Sequence, residues 1–256
     1  MSLLRLLYVG WLFNLKNLTL SGFFIIVSVI SPVIFASMAF LMFRAGARPG
    51  TLLFVAIGAG MMGIWSSTLF GSGGAIQWQR WQGTLEYSIA APPPFIWVVL
   101  PLTIATATIG LYSLTSTLVW GWLFFDVPFE LAHPGWFILA LPIAVLSLGL
   151  LGLVLAATFV LYRHANALGN LLEYPIWLVT GLLTGLALLP GWTQPISWVL
   201  APTWGVKALR ESAIGGDPGF AILMSAGLGL AYLVIGHFCL QYFERLAREK
   251  ATLALA

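Results

Sequence analysis

The residues able to do proton, nucleophile or metal chemistry are few in this sequence and far apart. Asp126, Glu130 and His133 share one turn-rich connection with Pro128 and Pro134, and they are the right types for a carboxylate–imidazole site. Three such residues spread over a loop do not define a coordination geometry, so no metal site is expected. His164 follows Arg163 in a compact polar turn and reads as solvated. Glu173 and His237 fall near the ends of long apolar runs. An ionisable group there marks either a function or a side chain reaching for the headgroups. A membrane-embedded enzyme using Glu173 or His237 is therefore one reading, but no His-Glu-x-x-His or Gly-x-Ser-x-Gly supports it. None of Lys16, Lys207 and Lys250 follows a glycine, so the chain lacks the glycine-rich phosphate loop that ends in Gly-Lys-Ser/Thr. Cys239 is the only cysteine, which excludes an intrachain disulfide and a cysteine-based metal site. No catalytic residue is expected.

The elements that carry these residues are built for lipid. Of 256 residues, 60% are hydrophobic and 7% charged, against roughly a quarter charged in a soluble domain. Several apolar runs reach the roughly 20 residues that cross a bilayer as helix. The pattern lacks the short alternating segments of an outer-membrane barrel. The expected fold is all-α: a single polytopic membrane domain over 1–256 with about six transmembrane helices, at 21–43, 51–71, 95–124, 136–161, 171–189 and 220–243. Small residues make close crossings possible in membrane bundles, and Gly58, Gly60, Gly181 and Gly185 are candidates for the seam between two copies. The threonines and serines of 95–124 are expected to bond back to their own helix. Residues 1–20 alternate leucines with Arg5, Asn14 and Lys16 as an interfacial helix would. Six spans place both termini on one side. Counting Lys and Arg in the loops makes that side cytoplasmic, in the inner or plasma membrane of the cell. A net charge of +3, scattered along the chain, gives no basis for nucleic-acid binding.

Two polar stretches interrupt the apolar runs. In the first, over 75–92, Trp78, Trp81, Leu85 and Ile89 recur at helical spacing while Arg80, Gln82 and Glu86 fall elsewhere, and Pro92-Pro93-Pro94 stops the helix. In the second, over 192–216, Pro195, Pro202, Lys207, Arg210 and Glu211 break an otherwise apolar run. Each of those charges would cost roughly 2.5–3.5 kcal/mol at mid-membrane. The segment is therefore expected to dip into the outer half of the bilayer and return, with Trp192, Trp198 and Trp204 at the interface and Lys207 paired to Glu211.

With Arg80, Gly83-Thr84-Leu85-Glu86 and Ala91-Pro92 in the first stretch, and Ala201-Pro202-Thr203-Trp204 and Ala208-Leu209-Arg210 in the second, the chain resembles the membrane permease subunits of ABC-2 type transporters. It departs from their usual pattern in carrying Gln77 and Gln79 where acidic residues are common. The loop motif is similar to that of the daunorubicin-resistance-like branch. The resemblance implies a cytoplasmic coupling helix at 75–92, with Arg80, Gly83, Thr84, Leu85 and Glu86 contacting an ATP-binding subunit. It implies an outer gate at 192–216, including Pro202, Trp204, Lys207, Arg210 and Glu211. It further implies two copies of that ATP-binding subunit and a second permease, identical or homologous, embedded in membrane lipid. No cofactor is expected on this chain, since ATP and Mg would belong to the partner. The implied function is export of an amphipathic or hydrophobic compound, whether drug, antibiotic or lipid-like; a lipid or lipid-linked glycan exporter is the alternative.

Overall fold

The computed structural model describes residues 3–44, 51–83, 85–90, 93–128, 130–161 and 165–250. Among them the chain forms helices and no strands: α1 (Leu3–Leu20), α2 (Gly22–Arg44), α3 (Thr51–Trp81), α4 (Leu85–Ala90), α5 (Ile96–Ile109) and α6 (Leu111–Phe125). These are followed by α7 (Pro134–Leu161), α8 (Ala165–Val179), α9 (Gln194–Trp198), α10 (Ala201–Ile214) and α11 (Gly219–Lys250). Five stretches are long and apolar enough to cross a membrane: Phe24–Phe43, Leu52–Gly74, Ile96–Phe125, Pro134–Phe159 and Gly219–Arg245. The protein is an all-α polytopic membrane protein. Pro32, Pro101 and Pro142 lie inside these helices, which a bundle tolerates because neighbouring groups re-satisfy the freed backbone.

Helix α3 is the central post, in contact with α2, α5, α6, α7, α8 and α10. Its glycines set how closely the others approach. A Cβ at Gly63 would collide with the Ser113 side chain of α6, and one at Gly60 with Leu114. Gly71 likewise abuts Thr106 of α5. With so little side chain between the axes, hydroxyls bridge the helices. Ser67 Oγ donates to Thr106 O at 3.1 Å and Thr117 Oγ1 to Ala56 O at 3.4 Å. Ser113 Oγ donates to Ser28 O of α2, while Thr103 and Thr108 bond back along their own helix to Leu100 O and Ile104 O.

The bundle has two distinguishable ends. At one, Leu85 of α4 enters a small core with Phe95, Ile96 and Val99 at the start of α5, Ala156 of α7, and Leu240 and Phe243 near the end of α11; Leu7 of α1 packs against it. At the other, Ala132 N and His133 N donate to Ala213 O and Ser212 O at 3.0 and 2.9 Å, tying the entry of α7 to the end of α10. α1 carries no fully buried residue and lies chiefly along α5.

The stretch 171–189 differs from expectation. It is not one continuous helix: α8 ends at Val179, and Gly181 turns the chain with φ +75°. At 1.5 Å per residue, its 15 residues cover about 22 Å, short of a ~30 Å hydrocarbon core. The stretch nevertheless runs antiparallel to α3 from Phe70 to Gly58. Gly169 abuts Phe70, Glu173 meets Ser66, and Leu182 reaches Gly58. The irregular backbone after α8 includes 3-10 turns at Leu186–Leu188 and Gly191–Thr193. Thr180, Leu182 and Thr193 are buried here, so protein covers part of this non-helical backbone, while Leu188 and Trp192 stand exposed.

Candidate functional site

Three constellations stand out from the apolar background. The first is the α4 end. α3 continues as helix to Trp81, Gly83 adopts φ +68°, and α4 starts at Leu85. Only glycine takes that backbone conformation without strain. Leu85 is 2% exposed and seated in the small core, while Tyr87 stands 79% exposed on the same short helix. α4 therefore grips the bundle with one face and offers the other outward. The connection to α5 is tied further when Phe95 N donates to Glu244 Oε2 of α11 at 3.3 Å. Thr84 lies outside the described residues, as do the side chains of Arg80 and Glu86.

The second constellation is the α9–α10 pair. The chain breaks between them at Val199 and Leu200, where the Tyr232 hydroxyl donates to Val199 O and accepts from Ala201 N at 3.2 Å. Tyr232 lies well inside α11 and Gly205 abuts Ala144 and Met61 well inside α7 and α3. Ser212 and Ala213, by contrast, bond the residues just before α7. α10 thus starts deep in the bundle and ends at its edge. Pro202 sits in the first turn of α10, where a missing N–H costs nothing. Lys207 Nζ approaches Glu211 Oε1 at 3.9 Å and lies 5.4 Å from the Trp204 ring centroid. Burial pushes the Glu211 carboxyl above the ordinary carboxylate range; Lys207 draws it back and Asp217 adds to the rise.

Two residues of this segment are not at the surface where the sequence placed them. Trp204 is buried, donating Nε1 to Trp198 O at 2.9 Å, so only Trp192 and Trp198 remain exposed. Arg210 is 7% exposed. Its guanidinium donates to Phe54 O at 3.1 Å, Gly181 O at 2.7 Å and Leu182 O at 2.8 Å, and it lies 3.4 Å from the Phe54 ring centroid. A planar fork of donors meets three carbonyls at once, two of them orphaned where α8 stops. A cation at a helix C-terminus is also favoured by the helix dipole. This cage holds the turn after α8 inside the bundle, while the last carbonyls of α8 itself accept from Thr180 N, Leu183 N, Gly181 N and Ser197 Oγ.

The four seam glycines divide accordingly. A Cβ at Gly58 would collide with Leu182 O and the Arg210 guanidinium, so that face is filled within the chain, as Gly60 is by α6. Gly181 makes the turn after α8. Gly185 alone of the four has open space beside it.

The third constellation was not assembled from sequence. A cavity of about 250 Å³ lies between α2, α3 and α8, and Glu173 lines it, accepting a hydrogen bond from Ser66 Oγ at 2.6 Å. Trp177, four residues on and hence on the same helical face, lines it too. That spacing of Glu173 and Trp177 was the available signal. His237 is elsewhere, paired at 2.9 Å with Gln241 one turn further along α11. Among the described residues no three His, Cys, Asp or Glu side chains gather as a metal site would require, and Asp126 instead ends α6 with φ 52°.

The described residues form a membrane bundle with a short gripping helix at one end and a broken helical pair towards the other. No curated protein matches the chain. The family model described as ABC-2 type transporter matches residues 6–214, from α1 to the end of α10 and so through both polar stretches. The chain belongs to the ABC-2 type transporter family and is a membrane permease component of an ABC transporter.

Proposed function

We propose that this chain is the permease of an ATP-driven exporter in which two permeases work with two ATP-binding subunits. ATP and Mg²⁺ sit on those subunits, and this chain contributes the path and the coupling contact. The observation that carries the coupling is the seating of α4. Leu85 is locked into a core shared by α5, α7 and α11, and the Phe95–Glu244 bond joins the same elements. A push on the exposed face of α4 would therefore move helix ends rather than a loose loop. In this reading the α4 end is cytoplasmic, both termini with it, and Arg80, Gly83, Thr84, Leu85 and Glu86 form the contact. The α9–α10 pair, with Pro202, Trp204, Lys207, Arg210 and Glu211, forms an outer gate that enters the bilayer and returns. Gly185 is the seam glycine whose open face leaves room for a second permease. The apolar interior favours an amphipathic or hydrophobic cargo of drug or antibiotic type.

The test is purification of the tagged chain from its own host's membranes into lipid nanodiscs, with mass spectrometry and an ATPase assay. The expected result is an ABC ATP-binding subunit at one copy per permease, with ATP hydrolysis in the same fraction. A permease that purifies alone, folded and without ATPase activity, would contradict the proposal.

A further inference from the structure

The cavity between α2, α3 and α8 has walls of Phe24, Phe35 and Phe70, with polar groups brought in by Ser66, Glu173 and Trp177. The Ser66 bond engages only one carboxylate oxygen of Glu173. Trp177 is 4% exposed, and its indole N–H has no acceptor among the described residues. Both groups are costly as they stand. A carboxylate within a membrane bundle calls for a cation or a proton, and an unmade buried hydrogen bond costs about 1–3 kcal/mol.

One ligand chemistry satisfies both. An ammonium supplies charge and N–H donors to Glu173, and an oxygen a few bonds away accepts from the indole of Trp177. An attached ring or chain meets the aromatic walls, which also attract the cation through their faces. Phosphates and carboxylates are disfavoured because they would face Glu173 with like charge.

We propose that this cavity binds an amphipathic amine, its ammonium on Glu173 and a neighbouring oxygen on the Trp177 indole. That the amine is cargo rests on the permease reading above. The binding itself does not, and it can be measured without a partner subunit.

The full chain is placed in phosphatidylcholine nanodiscs, whose quaternary headgroups have no N–H to donate. Equilibrium dialysis then measures binding of propranolol, which carries an aromatic ring, a hydroxyl and a secondary ammonium; empty nanodiscs give the lipid background. N-acetylated propranolol, which keeps the ring and loses the charge, is the comparison. The wild-type chain is expected to prefer the amine, and Glu173→Gln to weaken it about tenfold, the worth of a charged hydrogen bond. The neutral compound should bind both chains alike. Trp177→Phe should weaken the amine by a smaller factor, while Glu173→Asp should retain part of the preference. Thermal melting separates lost binding from lost folding; if Glu173→Gln does not fold, the Asp and Phe variants decide. Competition by added phosphatidylethanolamine would assign the amine to a lipid headgroup, and its absence to a soluble compound. Equal binding of amine and neutral analogue, or an unchanged amine affinity in the folded variants, would overturn the proposal. Failure to co-purify an ATP-binding subunit would refute the permease reading and leave this binding result standing.

Discussion

Arg210 and Lys207 sit one turn apart on α10 and do opposite things. Lys207 is half in solvent, and its 3.9 Å approach to Glu211 is the kind of exposed pair worth about 0–1 kcal/mol. Arg210 donates to two carbonyls of the turn after α8, Gly181 O and Leu182 O, and to Phe54 O of α3. Each buried bond left unmade costs about 1–3 kcal/mol. Arg210→Met should therefore lower the apparent melting temperature in detergent far more than Lys207→Met does. Arg210→Lys should fall between them, because an ammonium keeps the charge but loses the planar fork. Equal shifts for Arg210→Met and Lys207→Met would contradict the cage. Sequence alone could not separate the two residues: both are cations in an apolar segment, and only the carbonyls of Phe54, Gly181 and Leu182, distant in the chain, make one of them worth burying. Trp204 was misplaced for the same reason, since the acceptor for its indole is a backbone oxygen six residues earlier.

At the level of elements, hydropathy located the five long helices because lipid imposes length and composition on anything that crosses it. It also reads 171–189 as one unbroken helix, whereas α8 ends at Val179. An apolar run carries no mark of where its hydrogen-bond ladder stops, and α8 stops where Gly181 takes a left-handed turn, with Arg210 donating to the carbonyls of Gly181 and Leu182 just beyond it. The glycines show a related limit. Spacing told that Gly58 and Gly60 allow close approach, but the approaching atoms are Leu182, Arg210 and α6 of the same chain. Ser66, Glu173 and Trp177 form a site only because α8 runs antiparallel to α3, a pairing invisible in either segment. The re-entrant reading of α9 and α10 makes a prediction at this scale. Ser197, Thr203 and Ser212 are all buried, so labels belong on the exposed Trp192 and Asp217. In a Cys239→Ala background, Trp192→Cys and Asp217→Cys should both react with an impermeant maleimide from outside intact cells. Reaction of one from outside and the other only after lysis would show that the segment between them crosses the membrane.

Over the whole molecule, the polar stretches lie at different depths of one bundle, and continuous packed helices join them. α7 and α11 both contribute to the small core under Leu85 and both pack against α10. Packed helices shift as units and repack between discrete arrangements. A displacement applied at α4 therefore has a physical route to α10. In the proposed function that route begins at a contact between α4 and an ATP-binding subunit, and Tyr87, 79% exposed on α4, is the residue best placed to report it. The direct measurement is photo-crosslinking in native membranes with a photoreactive amino acid at position 87, and the same amino acid at position 192 as the opposite-end control. An adduct between position 87 and an ABC ATP-binding subunit, with none from position 192, is the predicted result; an adduct from position 192 and none from 87 would contradict it.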